Sequence, residues 1–274
     1  MRSTVAFFIV ALCGIVHGQA GVRAGKTAAG ISYDVQGSGP VVVLLTGSNL
    51  DRRMWARETA WLVRDHTVVR YDLRAHGQSD TATTTFSHLG DLIDVLDTLK
   101  IGKAALVGLS AGSTIALDAA LEHPSRVERI VLSGPAPSGY ISKERPAFFG
   151  DLGKALQAGD YKMAAEVLLK TTVFAAPPES QALVRQMVTD NDRLWTVSRE
   201  LMKAPARNAV DRLDEVRVPT LVLIGENDLL QREPAELLGK RIAGARLVVI
   251  PGGGHLLNLT SPKEFEAALS AFLQ

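Results

Sequence analysis

A serine hydroxyl becomes a useful nucleophile only when a base takes its proton and an acid holds that base in one orientation. Ser110 has a setting suited to this role. It lies in the run Gly-Leu-Ser-Ala-Gly, 108–112, straight after the apolar stretch Ala104 to Val107 and before a helical stretch whose Ile115, Leu117, Ala119, Ala120 and Leu121 would face a sheet. A strand that turns into a helix in so few residues forces the turn residue into strained backbone geometry, and Gly108 and Gly112 let the two elements pass closely. The hydroxyl is thereby lifted clear of the sheet. The Ala111 N–H, at a helix N-terminus, can meet an oxyanion. This is the pattern of a nucleophile elbow.

A base and an acid must then come from the carboxyl ends of other strands. Of the six histidines, His255 follows a buried-type strand across a triple glycine in "VVIPGGGHLLN". His17 lies in the apolar N-terminal segment, His66 and His88 at element ends, His76 in a turn, and His123 at the end of the helix after the elbow. Three carboxylates compete as the acid: Glu226 and Asp228, just past the strand in "LVLIGENDLL", and Asp72 after "VVRY". "PGGGH" lacks the lysine and the spacing of a phosphate loop. No histidine and carboxylate cluster has metal-ligand spacing, so neither a metal nor a cofactor is expected.

These residues need a scaffold. With 274 residues, 46% hydrophobic and 22% charged, the chain suits one large α/β domain with an insertion. Thirty basic against 29 acidic side chains leave almost no net field to draw in nucleic acid or a membrane surface, so neither is expected as a partner; the partner that the nucleophile chemistry calls for is a small-molecule substrate. The first twenty residues differ: Arg2 precedes an apolar run from Val5 to Val16, and Gly18 and Ala20 are the small residues a signal peptidase reads. The expectation is a signal peptide over 1–20 cleaved after Ala20, an exported mature protein, and no stable membrane insertion after cleavage, with an uncleaved N-terminal anchor as the alternative. Cys13 is the only cysteine, so a mature chain would form no disulfide.

Strand-like runs recur at "ISYDVQ", "VVVLL" (Val41 to Leu45), "TVVRYD", the elbow strand, "RVERIVLSG", "PTLVLIG" and "ARLVVIP". Helical stretches between them demand a mostly parallel sheet with right-handed crossovers. One is the helix near Ser87 to Lys100, with Asp91, Asp94 and Asp97 expected on its outer side. The alternation breaks between 138 and 218, where "GDYKMAAEVLLKTTV", "PESQALVRQMVTDND" and "RLWTVSRELMKA" read as helices without a strand. The predicted organisation is a core of 21–137 and 219–274 with a helical cap at 138–218. Trp195, Phe148, Phe149, Phe174, Met187 and Met202 are the cap's candidate pocket residues.

Several motifs together resemble the α/β-hydrolase fold proteins of the esterase, lactonase and haloperoxidase-like group with a helical cap. "YDLRAHGQSD" is similar to that family's D-x-R-G-x-G-x-S turn, "VPTLVLIGENDLL" to its acid strand, and "IPGGGHLLNLTSPKEFEAALSAFL" to its histidine loop and last helix. The likeness covers about residues 30 to 274. It implies an α/β-hydrolase fold, a triad in the chain order Ser110, Asp228, His255, and a structural role for Asp72 and Arg74. It also implies hydrolysis of a small ester, thioester or lactone through an acyl-enzyme on Ser110, with the N–H groups of Ala111 and Ser48 as the oxyanion hole. Serine at the elbow speaks against the haloalkane dehalogenases and epoxide hydrolases, which use aspartate there. Carbon–carbon bond hydrolysis, cofactor-free perhydrolysis and a receptor-like protein with weak turnover are the alternatives. Two departures stand out. Thr46-Gly47 replaces the family's His-Gly, which removes the usual histidine from the oxyanion loop and makes Asn49 the alternative donor to Ser48. Ala75 replaces a usual glycine.

Overall fold

A computed structural model describes residues 21–142 and 146–274. The expected signal segment 1–20, its cleavage point and Cys13 lie outside the described residues. The strands are β1 (Arg23–Lys26), β2 (Ser32–Gly37), β3 (Val41–Leu45), β4 (Thr67–Tyr71), β5 (Ala104–Leu109), β6 (Val127–Ser133), β7 (Thr220–Gly225) and β8 (Arg246–Ile250). They form one sheet in the order β1-β2-β4-β3-β5-β6-β7-β8. β2 runs antiparallel to both its neighbours, and all pairings from β4 to β8 are parallel. This is an α/β-hydrolase sheet. β1, from a polar stretch without alternation, was not expected; β2 supplies it with a paired edge.

The central strands are apolar on both faces because both faces are covered: every residue of β5 and β7 is buried. One apolar layer joins α2 (His88–Thr98), α3 (Ala111–Glu122) and α7 (Leu229–Arg241) to the sheet. The other gathers Trp55, Leu62, Phe265 and Leu269 from α1 (Ala56–Leu62), the turn before it and α9 (Pro262–Leu273). After β3 the chain crosses to β4 on one side, and after β5 to β6 on the other. The carboxyl ends of β3 and β5 therefore bound the crevice where such sheets hold ligands.

Between β6 and β7 the described residues form α4 (Phe148–Gln157), α5 (Tyr161–Leu169) and α6 (Pro178–Asp190), followed by short 3-10 turns. Phe174, Val184, Met187 and Val188 from this stretch pack with Leu50 and Met54 of the β3 loop region. Met187 is thus a core residue. Two expectations need correction. "RLWTVSRELMKA" is not a helix but a strap of two 3-10 turns, Asp192–Thr196 and Arg199–Leu201. Tertiary bonds outweigh its helical pattern: Arg193 donates to the carbonyls of Gly77 and Ser79, and Phe86 exchanges backbone hydrogen bonds with Leu201 and Lys203. Asp91 does not face outward. It is buried against Arg74, whose Nε reaches Asp91 Oδ2 at 3.1 Å, so a charge at a helix's first turn is held by its partner rather than by water.

Candidate active site

β5 ends at Leu109 and α3 begins at Ala111, so Ser110 alone makes the turn, at φ 54° and ψ −114°. Positive φ is costly for a residue with a side chain and is held here by its surroundings. The Ser110 N–H donates to the Ser133 carbonyl at 2.9 Å, and the Ser110 carbonyl accepts from Ser113 and Thr114. Ser113 Oγ donates to the carbonyls of Gly108 and Ser133, tying the helix start to both strands. Gly112 sits against the Leu45 backbone of β3, where a Cβ would come to 2.6 Å from the carbonyl carbon.

Asp228 and His255 come from the ends of adjacent parallel strands, β7 and β8. Their loops are joined by Asn227 N–H to the Gly253 carbonyl at 2.8 Å and by Asn227 Nδ2 to the Gly252 carbonyl. His255 Nδ1 lies 2.7 Å from Asp228 Oδ2, and both side chains are buried. Asp228 also caps α7, accepting from Gln231 N–H through Oδ1. With a carboxylate facing Nδ1, the ring proton sits there and Nε2 keeps its lone pair. Gly134, at φ 52°, leaves room for the pair: a Cβ there would lie 2.9 Å from the ring's Nδ1 and Cε1. Glu226, the rival carboxylate, points elsewhere and accepts from the exposed Gly252 N–H at 2.9 Å. Asp72, the third, accepts from the N–H groups of Arg52 and Gln78 and pairs with the Arg52 guanidinium, which makes it a turn-holding residue.

Ser110 and His255 line one cavity of about 370 Å³ with Gly47, Ser48, Asn49, Phe148, Phe149, Phe174 and Trp195. A second lobe of about 540 Å³ takes in Ser48, Ala111, His76, Phe86, His88 and Met202, sharing Ser48, Leu156, Leu194, Trp195 and Arg199 with the first. Five of the six aromatic and methionine candidates from the sequence are therefore cavity residues.

The oxyanion-type loop after β3 is held by a histidine after all, from a different place. His76 Nε2 accepts from the Asn49 N–H at 3.1 Å while its Nδ1 donates to the Arg74 carbonyl at 2.8 Å. Asn49 stands at φ 63°, and Asn191 Nδ2 reaches its carbonyl, so both backbone groups are engaged. The Asn49 N–H is thus engaged by the His76 ring. Ala75 stands at φ 63°, a conformation that glycine adopts without the steric cost a side chain brings. Burial holds the His76 pKa down at about 4, so the ring is neutral and can play both roles at once. The sequence showed only a turn histidine beside Gly77; no local signal points 27 residues back to Asn49. Beneath the His255 loop, Asn258 Nδ2 donates to the Met54 carbonyl and to Glu58, a carboxyl that burial raises to about 7.

The profile of the Alpha/beta hydrolase family matches residues 42–268. The chain belongs to that family. Among the relatives of this α/β-hydrolase is a Pseudomonas savastanoi protein provisionally named carbamate hydrolase RutD, 27% identical over 85% of this chain and 93% of the relative. Another is 3-oxoadipate enol-lactonase 1 of Acinetobacter baylyi, 27% identical over 92% of this chain and 95% of the relative. The structure of Est816, described as an N-acyl homoserine lactone degrading enzyme, superposes with a TM-score of 0.74 at 29% identity, covering 88% of this chain and 96% of Est816. This α/β-hydrolase is accordingly similar along most of its length to hydrolases. Among its described residues no helix is long and apolar enough to cross a membrane.

Proposed function

We propose that this protein is a serine hydrolase that cleaves a small ester, thioester or lactone through an acyl-enzyme. The observation that carries the reading is the elbow serine, Ser110, opening into the same cavity as a histidine whose Nδ1 is bonded to a buried carboxylate. His255 Nε2 takes the Ser110 proton as Oγ attacks the carbonyl carbon. The carbonyl oxygen gathers negative charge between the N–H groups of Ala111 and Ser48. Collapse expels the alcohol or thiol, which leaves with the proton from His255, and water then repeats the sequence to release the acid. Asp228 holds the ring tautomer and balances the imidazolium. A fluorophosphonate is expected to label Ser110, located by mass spectrometry of the tryptic peptide, and nitrophenyl esters to be turned over. Label on Ser48 or Ser113, or on no residue, would overturn this reading.

His76 enters as a positioning residue for the donor loop. His76→Phe removes the acceptor for the Asn49 N–H, and kcat on a nitrophenyl ester is expected to fall by roughly tenfold or more, with KM less affected, because a loosened Ser48 donor matters in the transition state. Stability reads the same residue. The folded pKa is depressed from 6.5 to about 4, so between those values the unfolded chain binds a proton that the folded one does not. The stability contribution is full above about pH 6.5 and is lost as pH falls toward 4. Denaturation midpoints across that window should show a shallower acid slope in the variant. An unchanged kcat would remove His76 from the catalytic argument.

A further inference from the structure

Among the described residues, the two lobes that meet at Ser48 and Trp195 are lined by no aspartate or glutamate. Of their cationic side chains, Arg74 is tied to Asp91 and to the Ala29 carbonyl, and its guanidinium lies over the Phe86 ring. His76 is neutral, and burial lowers the pKa of His88. Arg199 is different. It lines both lobes, is exposed to solvent, and makes no ion pair among the described residues; its neighbour Glu200 lines neither lobe.

Its backbone is nonetheless well fixed. Ser198 Oγ accepts from the Glu200 N–H, Phe86 N–H donates to the Leu201 carbonyl at 2.8 Å, and Lys203 N–H donates to the Phe86 carbonyl at 2.7 Å. Upstream, Arg193 binds the Gly77 and Ser79 carbonyls, and buried Asn191 accepts from Gly77 N–H and donates to Asp51. The strap that carries Arg199 is bolted to the same loops that carry His76 and the oxyanion-type turn. A planar, permanently charged fork is thereby presented at the junction of two lobes with no carboxylate among their described lining residues, one of them walled by Phe148, Phe149 and Phe174.

We propose that Arg199 receives a carboxylate on the substrate, so that the preferred compounds are half-esters or lactones that carry a free carboxylate. This rests on the serine-hydrolase reading for its chemistry, but not for its binding. One guanidinium matches one carboxylate in a bidentate pair. A phosphate monoester, with nearly two charges, would call for further donors.

The test compares two esters of equal chain length, 4-nitrophenyl hydrogen glutarate and 4-nitrophenyl pentanoate, which differ in a terminal carboxylate against a methyl group. The wild-type protein is expected to favour the anionic ester in kcat/KM by about tenfold, a modest factor because the guanidinium is exposed. Arg199→Gln should raise KM for that ester about tenfold and for the neutral ester less than twofold. Arg199→Lys should recover part of the preference, and Arg199→Glu should reverse it. A wild-type preference for the neutral ester, or equal damage to both by Arg199→Gln, overturns the proposal. Calorimetry with glutarate on the Ser110→Ala protein needs no turnover. Binding that Arg199→Gln abolishes supports the anion site even where neither ester is cleaved, the outcome that would instead sink the serine-hydrolase reading. Binding that ignores Arg199, or no binding, overturns the proposal.

Discussion

Asp228→Asn is expected to lower turnover of a nitrophenyl ester by on the order of ten-thousandfold at neutral pH while the protein stays folded. The expectation follows from the 2.7 Å contact between Asp228 Oδ2 and His255 Nδ1. A carboxylate can only accept, which keeps the ring proton on Nδ1 and leaves Nε2 free to take the serine proton. An amide can present its N–H₂ to Nδ1 instead, which favours the opposite tautomer and leaves no base facing Ser110. The substitution also removes the negative charge that balances the imidazolium. Asparagine still suits the first position before a helix, so α7 keeps its cap. Glu226→Gln, by contrast, should cost less than about tenfold, because that side chain accepts from an exposed backbone N–H and does not touch the ring. Steady-state kinetics on both variants, with circular dichroism to verify folding, decides the matter. The reverse order of damage would make Glu226 the acid.

Gly112→Ala is expected to destabilise the fold by more than about 4 kcal/mol, placing it among the rare severe substitutions. Helix propensity pulls the other way, since alanine is better than glycine in a helix by ~1 kcal/mol. Sterics win here. The new Cβ would press on the Leu45 carbonyl, with its carbon at 2.6 Å, and that atom belongs to a central strand paired on both sides, so it has no way to yield. Helix α3 would have to lift from the sheet and carry Ser110 and Ala111 with it. Gly150→Ala, in α4, is the control: among the described residues nothing beyond its own turn of helix lies within 4 Å of the added carbon, and only the propensity gain of up to ~1 kcal/mol remains. Urea denaturation measures both. A Gly112→Ala midpoint equal to wild type would show that strand and helix are less tightly apposed at the elbow than this packing requires.

The sequence by itself determined the parts whose signals are local. Five-residue apolar runs such as Val41 to Leu45, separated by helical stretches, require a buried parallel sheet, because only strands covered on both faces are apolar throughout. Glycines on either side of Ser110 specify a strand-to-helix turn through the space their missing side chains leave, and the glycine run before His255 marks a histidine loop after the last strand. Nothing local distinguishes Asp228 from Glu226, two residues apart in the same loop; only the pairing of β7 with β8 puts one of them on the imidazole. The same holds for His76 on Asn49, for Asp91 turned inward to Arg74, and for the strap that leaves its helical pattern to bind the Gly77 and Phe86 loops. Each depends on groups 17 to 116 residues apart meeting in space. Hydrophobic periodicity records which face of an element is buried, but it does not record which polar partner waits there. That is settled only when the sheet order brings the loops together.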